Sequence, residues 1–335
     1  MLFVGVDGHK NTSQITVMDA GGKILKRQRI LSSPEQFRQS LAEFSEPMKA
    51  VLEASYCWGP MYDWLDDLTE EVVLAHPSKV RAIAEARIKT DKIDSEILAH
   101  LLRADLIPRA YAPSKEVRAV KRVLRQRLFL VQLRTMVKNR IRALLAQHSI
   151  ELPKISDLFS KSGLAWLQQV ELPGPDGSIL REDLNLLKVF AEKIASTERL
   201  IDQLAQGDEA VPWLASLPGI GKFLSVVIRW EVDNINRFQE AKKFASYTGL
   251  VPSTYASASR MVHGRLTKRG NKWLRWAFIE AVTPAVRTSA HLRAHYQRIK
   301  NHSGAKDART SIARKLAELA WTVWTEQRCY EERGS

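Results

Sequence analysis

Residues 2–18 read LFVGVDGHKNTSQITVM and contain the first sign of a β-sheet. Its two apolar runs, on either side of a short polar segment, have the patterning that is typical of β-strands. A third run, KILKRQRI, follows from the glycine turn AGGK at residues 20–23. The sequence therefore begins with three short strands, which we expect to pair antiparallel.

The segments that follow alternate between helix and strand. Ser33 and Pro34 begin a predicted helix over residues 33–44, because serine is a good N-cap and proline suits the first turn. Buried strands are predicted at residues 49–55 and 71–76, and each is followed by a helix. Three strands, then helix, strand, helix, strand and helix, is the order of a ribonuclease-H-like domain, an α/β class with one mixed sheet.

The rest of the chain is predicted to be mainly helical. A long helix is indicated from Lys115 to His148, and a second over residues 180–204 can pair with it as a coiled-coil arm. The stretch LPGPDGS at residues 172–178 reads as the loop between them. We therefore predict three domains: an α/β domain at residues 1–110, a basic helical coiled-coil arm or linker at 111–210, and a mostly α C-terminal domain at 211–335.

The C-terminal domain contains a helix-hairpin-helix-like element. Residues 216–232 read SLPGIGKFLSVVIRWEV, in which Gly219 and Gly221 form a turn just before a helix. Backbone N–H groups at such a turn bind phosphate well. A glycine-rich turn between two helices is often only a turn, so both interpretations stay open.

Charge indicates the class of partner. The chain has 51 lysines and arginines against 37 acids, and the excess lies in two segments, Lys115–Leu145 with net +9 and Arg260–Lys315 with net +12. Clustered cations bind nucleic acid because they release phosphate counterions, although a single basic run can be only a solvated helix face. The predicted nucleic-acid-binding residues are Arg125, Arg127, Arg134, Lys138, Gly219, Gly221, Arg260, Lys268 and Arg269.

Composition excludes several classes of protein. Hydrophobic residues make up 45% of the chain and charged residues 26%, which is ordinary globular composition. No apolar run approaches the ~18–20 residues of a membrane span, and the N-terminus lacks the pattern of a signal peptide. Cys57 and Cys329 are too few for a disulfide framework. We therefore expect a soluble cytoplasmic protein with no membrane partner.

Four carboxylates lie in unusual positions. Asp7 and Glu53 are set in apolar strands, where an unpaired acid is costly, and Asp91 and Asp94 are one helical turn apart. In the ribonuclease-H order, the first strand, the fourth strand and the last helix converge at one sheet edge. Carboxylates that meet there repel each other unless divalent cations neutralise them, and oxygen ligands suit Mg²⁺ or Mn²⁺. Each acid alone can be structural, but together they predict a metal site.

Other side chains give weaker signals. The histidines show no metal-ligand spacing and are interpreted as surface or core residues; they include His9, His76, His100 and His148. The tryptophans of the C-terminal domain recur at helical spacing, so core packing is favoured over base stacking.

Together these segments resemble the transposases of the insertion sequence 110 family, the DEDD transposases. The resemblance extends over residues 3–325, and its most specific parts are KTDKID at 89–94 and the GLVPSTYASAS and LTKRGN segments between 249 and 271. It implies that the metal-binding carboxylates are Asp7, Glu53, Asp91 and Asp94. It also implies a DNA transposase that works as a homodimer or homotetramer, with a bridge RNA that chooses the DNA sites.

The resemblance also implies a nucleophile. The family's catalytic serine follows a Y-x-S spacing, which matches Ser257 here. Ala258 replaces the glycine that usually follows, and Ser259 is an alternative nucleophile two residues on. Attack of a serine on phosphorus gives a phosphoserine that conserves the bond energy. The nearby cations Arg260, Lys268 and Arg269 can stabilise the charge on the phosphate.

The sequence thus predicts a transposase or recombinase that cleaves and rejoins the DNA of a mobile element. Two other interpretations stay open. One is a ribonuclease-H-like, junction-resolving nuclease in which water is the nucleophile. The other is a non-catalytic nucleic-acid-binding protein whose acids are structural.

Overall fold

The computed structural model describes residues 1–83, 91–257, 260–266 and 270–331, with the backbone alone for the strands between 252 and 266. Contacts divide the chain into two units, Met1–Ala112 and Pro113–Ser335. The first unit is α/β and the second is mostly helical. The further boundary expected near residue 210 stays a prediction.

A five-stranded mixed sheet forms the centre of the first unit. Its strands are β1 Leu2–Gly8, β2 Thr12–Met18, β3 Ile24–Leu31, β4 Met48–Glu53 and β5 Glu71–Ala75. They lie in the order β3-β2-β1-β4-β5. The β1–β2 and β2–β3 pairs are antiparallel, whereas β4 is parallel to both β1 and β5. The mixed sheet predicted from the sequence is therefore confirmed.

Helices cover both faces of this sheet. They are α1 Pro34–Leu41, α2 Trp58–Asp66, α3 Pro77–Ile83 and α4 Asp91–Arg103. Phe37 of α1 and Leu65 of α2 are buried with Val6 in one apolar cluster. Leu98 of α4 is buried with Val51 in the other. Because side chains alternate along a strand, α4 lies on the face that also carries the odd-numbered residues of β1.

The second unit is mainly helical, as expected. Its helices are α5 Lys115–Gln147, α6 Lys161–Leu167, α7 Asp176–Leu204, α8 Ala210–Ala215, α9 Lys222–Val232, α10 Ala241–Tyr247, α11 Lys272–Thr288, α12 Ala290–Ser303 and α13 Ala305–Thr325. A 3₁₀ turn, Ile235–Arg237, follows α9, and a hairpin of β6 Pro252–Ser257 and β7 Arg260–Leu266 precedes α11. None of the described helices is long and apolar enough to cross a membrane.

The long helices α5 and α7 pack against each other. Ile141 and Leu145 of α5 share a buried cluster with Leu180 and Leu187 of α7. The predicted loop at 172–178 ends earlier than expected, because α7 already begins at Asp176. Pro175 and Asp176 suit the start of a helix, through the fixed φ of proline and the favourable charge of aspartate in the first turn.

Candidate metal centre and serine hairpin

Asp7 and Glu53 lie side by side near the ends of two adjacent parallel strands. β1 and β4 are parallel, with Val6 paired to Leu52, so the next residue of each strand lies at the same level. Asp7 shares the strand face of Gly5, which is covered by α4. The Asp7 side chain is only 13% exposed. The sheet therefore places two carboxylates at one edge, one of them largely buried.

A close contact between β1 and α4 brings the other two acids to this edge. A Cβ at Gly5 would lie 2.0 Å from the Ser95 carbonyl oxygen, so only glycine permits the approach. A buried hydrogen bond of 2.8 Å joins Thr16 Oγ1 to Ser95 Oγ. The first turn of α4, which carries Asp91 and Asp94, is thereby fixed beside the end of β1.

His9 belongs to this cluster, although the sequence did not indicate it. Its Nε2 lies 3.4 Å from Asp7 Oδ2 and 3.5 Å from Asp91 Oδ1. One ligand atom from each of these three residues lies within 4.8 Å of the others. In the sequence, the only sign that His9 belongs with Asp7 is their spacing of two residues, which puts both side chains on the same side of an extended chain.

The cluster concentrates negative charge at a partly buried position. Burial raises the pKa of the Asp7 carboxyl above its ordinary value, His9 opposes this shift, and Asp91, Asp94 and Glu53 raise the pKa further. Asp7 therefore interacts electrostatically with each of the other three predicted carboxylates. Such a group of acids fits a divalent cation, which favours their charged forms.

In the second unit, Ser257 is the last residue of β6 and pairs with Arg260, the first residue of β7. The candidate nucleophile therefore lies at the turn of a two-stranded antiparallel hairpin. The alternative nucleophile Ser259 and the cations Lys268 and Arg269 lie outside the described residues.

The two ends of this hairpin come together where they join the helices. The Asn271 backbone N–H donates to the Tyr247 carbonyl at 2.8 Å. A Cβ at Gly270 would lie 2.3 Å from the Gly249 nitrogen, so the backbones need glycine to pass this closely. The Asn271 side chain then caps α11 by accepting hydrogen bonds from Trp273 and Leu274. The base of the hairpin is thus fixed to a helix start.

Glu231 connects the hairpin base to α5. Its side chain is 1% exposed, and it accepts two hydrogen bonds from Arg125, Nε at 2.9 Å and Nη2 at 3.1 Å. The Asn271 amide donates a third, at 3.0 Å. These charge-assisted bonds satisfy a carboxylate that would otherwise be buried at high cost.

Two family models match different parts of the chain. A family model of DEDD transposases matches residues 4–150, and a model described as the transposase IS116/IS110/IS902 family matches residues 212–297. The chain belongs to the IS110 family of transposases.

Relatives match along nearly the whole length of this transposase. A probable family 20 transposase of Pseudomonas aeruginosa is 25% identical, over 98% of each chain. The transposase for insertion sequence element IS1328 of Yersinia enterocolitica is 25% identical, over 97% of each chain. The transposase for IS1111A of Coxiella burnetii is 24% identical, over 98% of this chain and 91% of the relative.

Membership of this family gives the transposase an activity, the cleavage and rejoining of DNA. The non-catalytic interpretation is therefore wrong. The first match contains the four carboxylates and the second contains Ser257. The roles of these five residues stay predictions.

The basic residues of α5 in the transposase fall into two groups. Arg125 is bound to Glu231, and Arg127 pairs with Glu198 at 2.7 Å, so both guanidinium groups already have partners within the chain. Further along, the buried Nε of Arg134 has no hydrogen-bond partner among the described residues. Burial, reinforced by Arg134, lowers the pKa of Lys138. Arg134 and Lys138 are therefore better candidates to bind an anion than Arg125 and Arg127.

Gly219 and Gly221 have different surroundings in the α8–α9 turn. Gly219 has a φ of +77°, and a Cβ there would lie 2.2 Å from the Ala281 carbonyl oxygen, so packing against α11 requires glycine. A Cβ at Gly221, the N-cap of α9, would meet no atom of the described residues within 4 Å. Of these two glycines, Gly221 is therefore the one with open space beside its Cα.

Proposed function

We propose that this transposase cleaves and rejoins DNA through a phosphoserine at Ser257, assisted by a divalent cation in a ribonuclease-H-like domain. The cluster at the end of β1 carries the proposal, because Asp7, His9 and Asp91 place ligand atoms within 4.8 Å of one another. The raised pKa of Asp7 also supports it, since a cation would remove that penalty. The mixed sheet also supports it: β1, β2 and β3 pair antiparallel and β4 is parallel to β1 and β5, in line with the strand and helix order that we expect for a ribonuclease-H-like domain.

The carboxylates Asp7, Glu53, Asp91 and Asp94 would hold Mg²⁺ or Mn²⁺, because oxygen ligands suit these cations. When bound, the cation supplies positive charge that favours a deprotonated nucleophile and stabilises the leaving oxygen. His9 lies between Asp7 and Asp91 and would orient the two carboxylates through its Nε2.

The proposed cleavage step forms a bond between Ser257 Oγ and phosphorus. The bond from phosphorus to one deoxyribose oxygen breaks, the serine gives up its proton, and the departing oxygen takes up a proton to leave as a hydroxyl. Rejoining is the reverse step with a hydroxyl of another strand, so no ATP is required. Arg260, Lys268 and Arg269 are our candidates to stabilise the charge on the phosphate.

We propose that the partners are DNA and a bridge RNA, and that the active form is a homodimer or homotetramer. The net charge of +14 supports a polyanionic partner. The pairing of α5 with α7 supports a coiled-coil arm, with Arg134 and Lys138 as its first candidates for phosphate contacts.

The test is a denaturing gel after reaction of labelled element-end DNA with the protein and Mg²⁺. We expect protein-linked DNA, its loss in Ser257→Ala with DNA binding retained, and some adduct in Ser259→Ala. Free cleaved ends without adduct would instead favour the nuclease that uses water. An adduct that persists in Ser257→Ala and vanishes in Ser259→Ala would move the nucleophile to Ser259.

A separate experiment tests the bridge RNA. The RNA that copurifies with the protein, expressed from its complete element, is sequenced. We expect one defined RNA encoded within the element, recovered repeatedly after washing at moderate salt. A random sample of cellular RNA would contradict guidance by RNA and leave the serine mechanism untouched.

A further inference from the structure

The second unit contains a groove of about 630 Å³ between α5, α6 and α7. Its volume lies in the range of ~300–1,000 Å³ that is typical of small-molecule sites. Arg134 and Lys138 reach it from α5, and Leu164 from α6. We call this feature the arm groove and ask which ligand its lining would bind.

The charge of the arm groove selects an anion. Four of its lining residues are cations, Arg134, Lys138, Arg181 and Lys188, and none is an acid. The Nε of Arg134 is buried and has no hydrogen-bond partner among the described residues, which costs free energy in the unliganded protein. Phosphate oxygens are acceptors that fit a guanidinium group well.

The rest of the lining selects a ligand with a flat, largely apolar body. Leu164, Leu184 and Leu187 line the groove, together with the side-chain amides of Gln168 and Asn185. A bare phosphate would leave the leucines unused. A nucleotide matches the leucines, the amides and the cations of the lining, because its base has apolar faces and polar edges and its phosphates are anionic.

We propose that the arm groove binds one unpaired nucleotide, with its base against the leucines and its flanking phosphates against the cations. The nucleotide must be unpaired because a stacked and paired base cannot enter a groove unless it leaves the duplex. The inference rests on the proposed function in one respect, the choice of nucleic acid as partner.

The test measures the affinity of the full-length protein for labelled hairpin duplexes that carry one bulged adenosine, one bulged abasic nucleotide or no bulge. DNA and RNA versions are compared, and the tighter one identifies the source of the nucleotide. We expect the adenosine bulge to bind about tenfold more tightly than the abasic bulge, because only the adenosine has a base whose apolar faces can be buried against the leucines.

Two tryptophan variants locate this preference. Ala191 is exposed and lines the groove, so Ala191→Trp fills the groove without entering a core. We expect it to abolish the preference for the adenosine bulge. Ala143→Trp, at an exposed α5 position outside the groove lining, should retain it.

A pair of lysine variants tests the contacts with the phosphates. Lys188→Gln should weaken binding of the bulged hairpins several-fold, and Lys193→Gln, on the exposed surface of α7, should not.

Equal affinity of the wild-type protein for the adenosine and abasic bulges would overturn the inference. A preference that survives in Ala191→Trp, or that is lost equally in Ala143→Trp, would do the same. The adduct gel is run in parallel with the same preparations. Adduct formation without a base preference refutes the arm groove alone, whereas a base preference without adduct refutes only the phosphoserine.

Discussion

Asp91 is the residue that best separates chemistry from folding in the metal centre, because its side chain is 43% exposed. We expect Asp91→Asn to abolish adduct formation and strand exchange and to leave nucleic-acid affinity nearly unchanged. The lost charge weakens cation binding without opening the core. Both properties are measured on one preparation, by denaturing gel and by fluorescence anisotropy. Asp66→Asn, at an exposed position of α2, is the control. Normal recombination by Asp91→Asn in Mg²⁺ would refute the metal site.

His9 offers a second test at the scale of a single residue. If its imidazole orients Asp7 and Asp91, His9→Gln should raise the Mg²⁺ concentration for half-maximal adduct formation about 10–100-fold. Saturating Mg²⁺ should then recover most of the rate, because the carboxylates are still present. The measurement is a Mg²⁺ titration of adduct formation, with the partly exposed His100→Gln as a matched variant. An unchanged Mg²⁺ requirement would exclude His9 from the metal centre.

Helix α5 contains basic residues with two different expected roles, nucleic-acid binding and stabilisation of the fold, and substitutions can test each role separately. We expect Arg134→Gln with Lys138→Gln to lower nucleic-acid affinity and to reduce the slope of log affinity against log salt by about two, since two phosphate contacts are lost. Arg125→Gln should instead lower the free energy of unfolding by about 3 kcal/mol, because it strands the buried Glu231 carboxylate.

Salt titrations and urea unfolding of the same variants measure these two effects. Arg122→Gln removes an equivalent charge from an exposed position of α5 and should change neither quantity by much. An unchanged salt slope in the Arg134 and Lys138 double variant would mean that this part of α5 faces protein rather than nucleic acid.

The helices, strands and ion pairs show which features of the structure sequence patterns can predict and which they cannot. The strands and most helices depend on local signals, such as Ser33 before α1 and the apolar runs of β1 and β4, so their order was predictable. Ion pairs are not local. Arg125 has its partner 106 residues away and Arg127 has its partner 71 residues away, so both looked like free cations in the sequence. The contact of His9 with Asp7 is local, but its contact with Asp91 depends on the packing of α4 on Gly5, which a sequence pattern does not show.

At the scale of the whole molecule, the candidate catalytic groups are divided between the units. The carboxylates belong to Met1–Ala112 and Ser257 belongs to Pro113–Ser335. If the carboxylates hold a cation, its binding would stabilise the first unit directly, by about 2.7 kcal/mol at a concentration of 100 Kd. Amide hydrogen exchange of the full chain can locate that stabilisation. We expect Mg²⁺ to slow exchange in β1, β4 and the first turn of α4, and to leave α11 and α13 unchanged.

The Asp7→Asn variant tests whether the protection by Mg²⁺ depends on the negative charge of the Asp7 carboxylate. Since the folded protein raises the pKa of Asp7, the charged carboxylate destabilises the fold once the pH exceeds its ordinary pKa. In EDTA at pH 7, Asp7→Asn should therefore exchange more slowly than the wild type in β1 and β4. Mg²⁺ should protect the wild type and have little effect on the variant, which reverses their order. Equal protection of both proteins by Mg²⁺, or protection spread evenly over both units, would place the cation elsewhere.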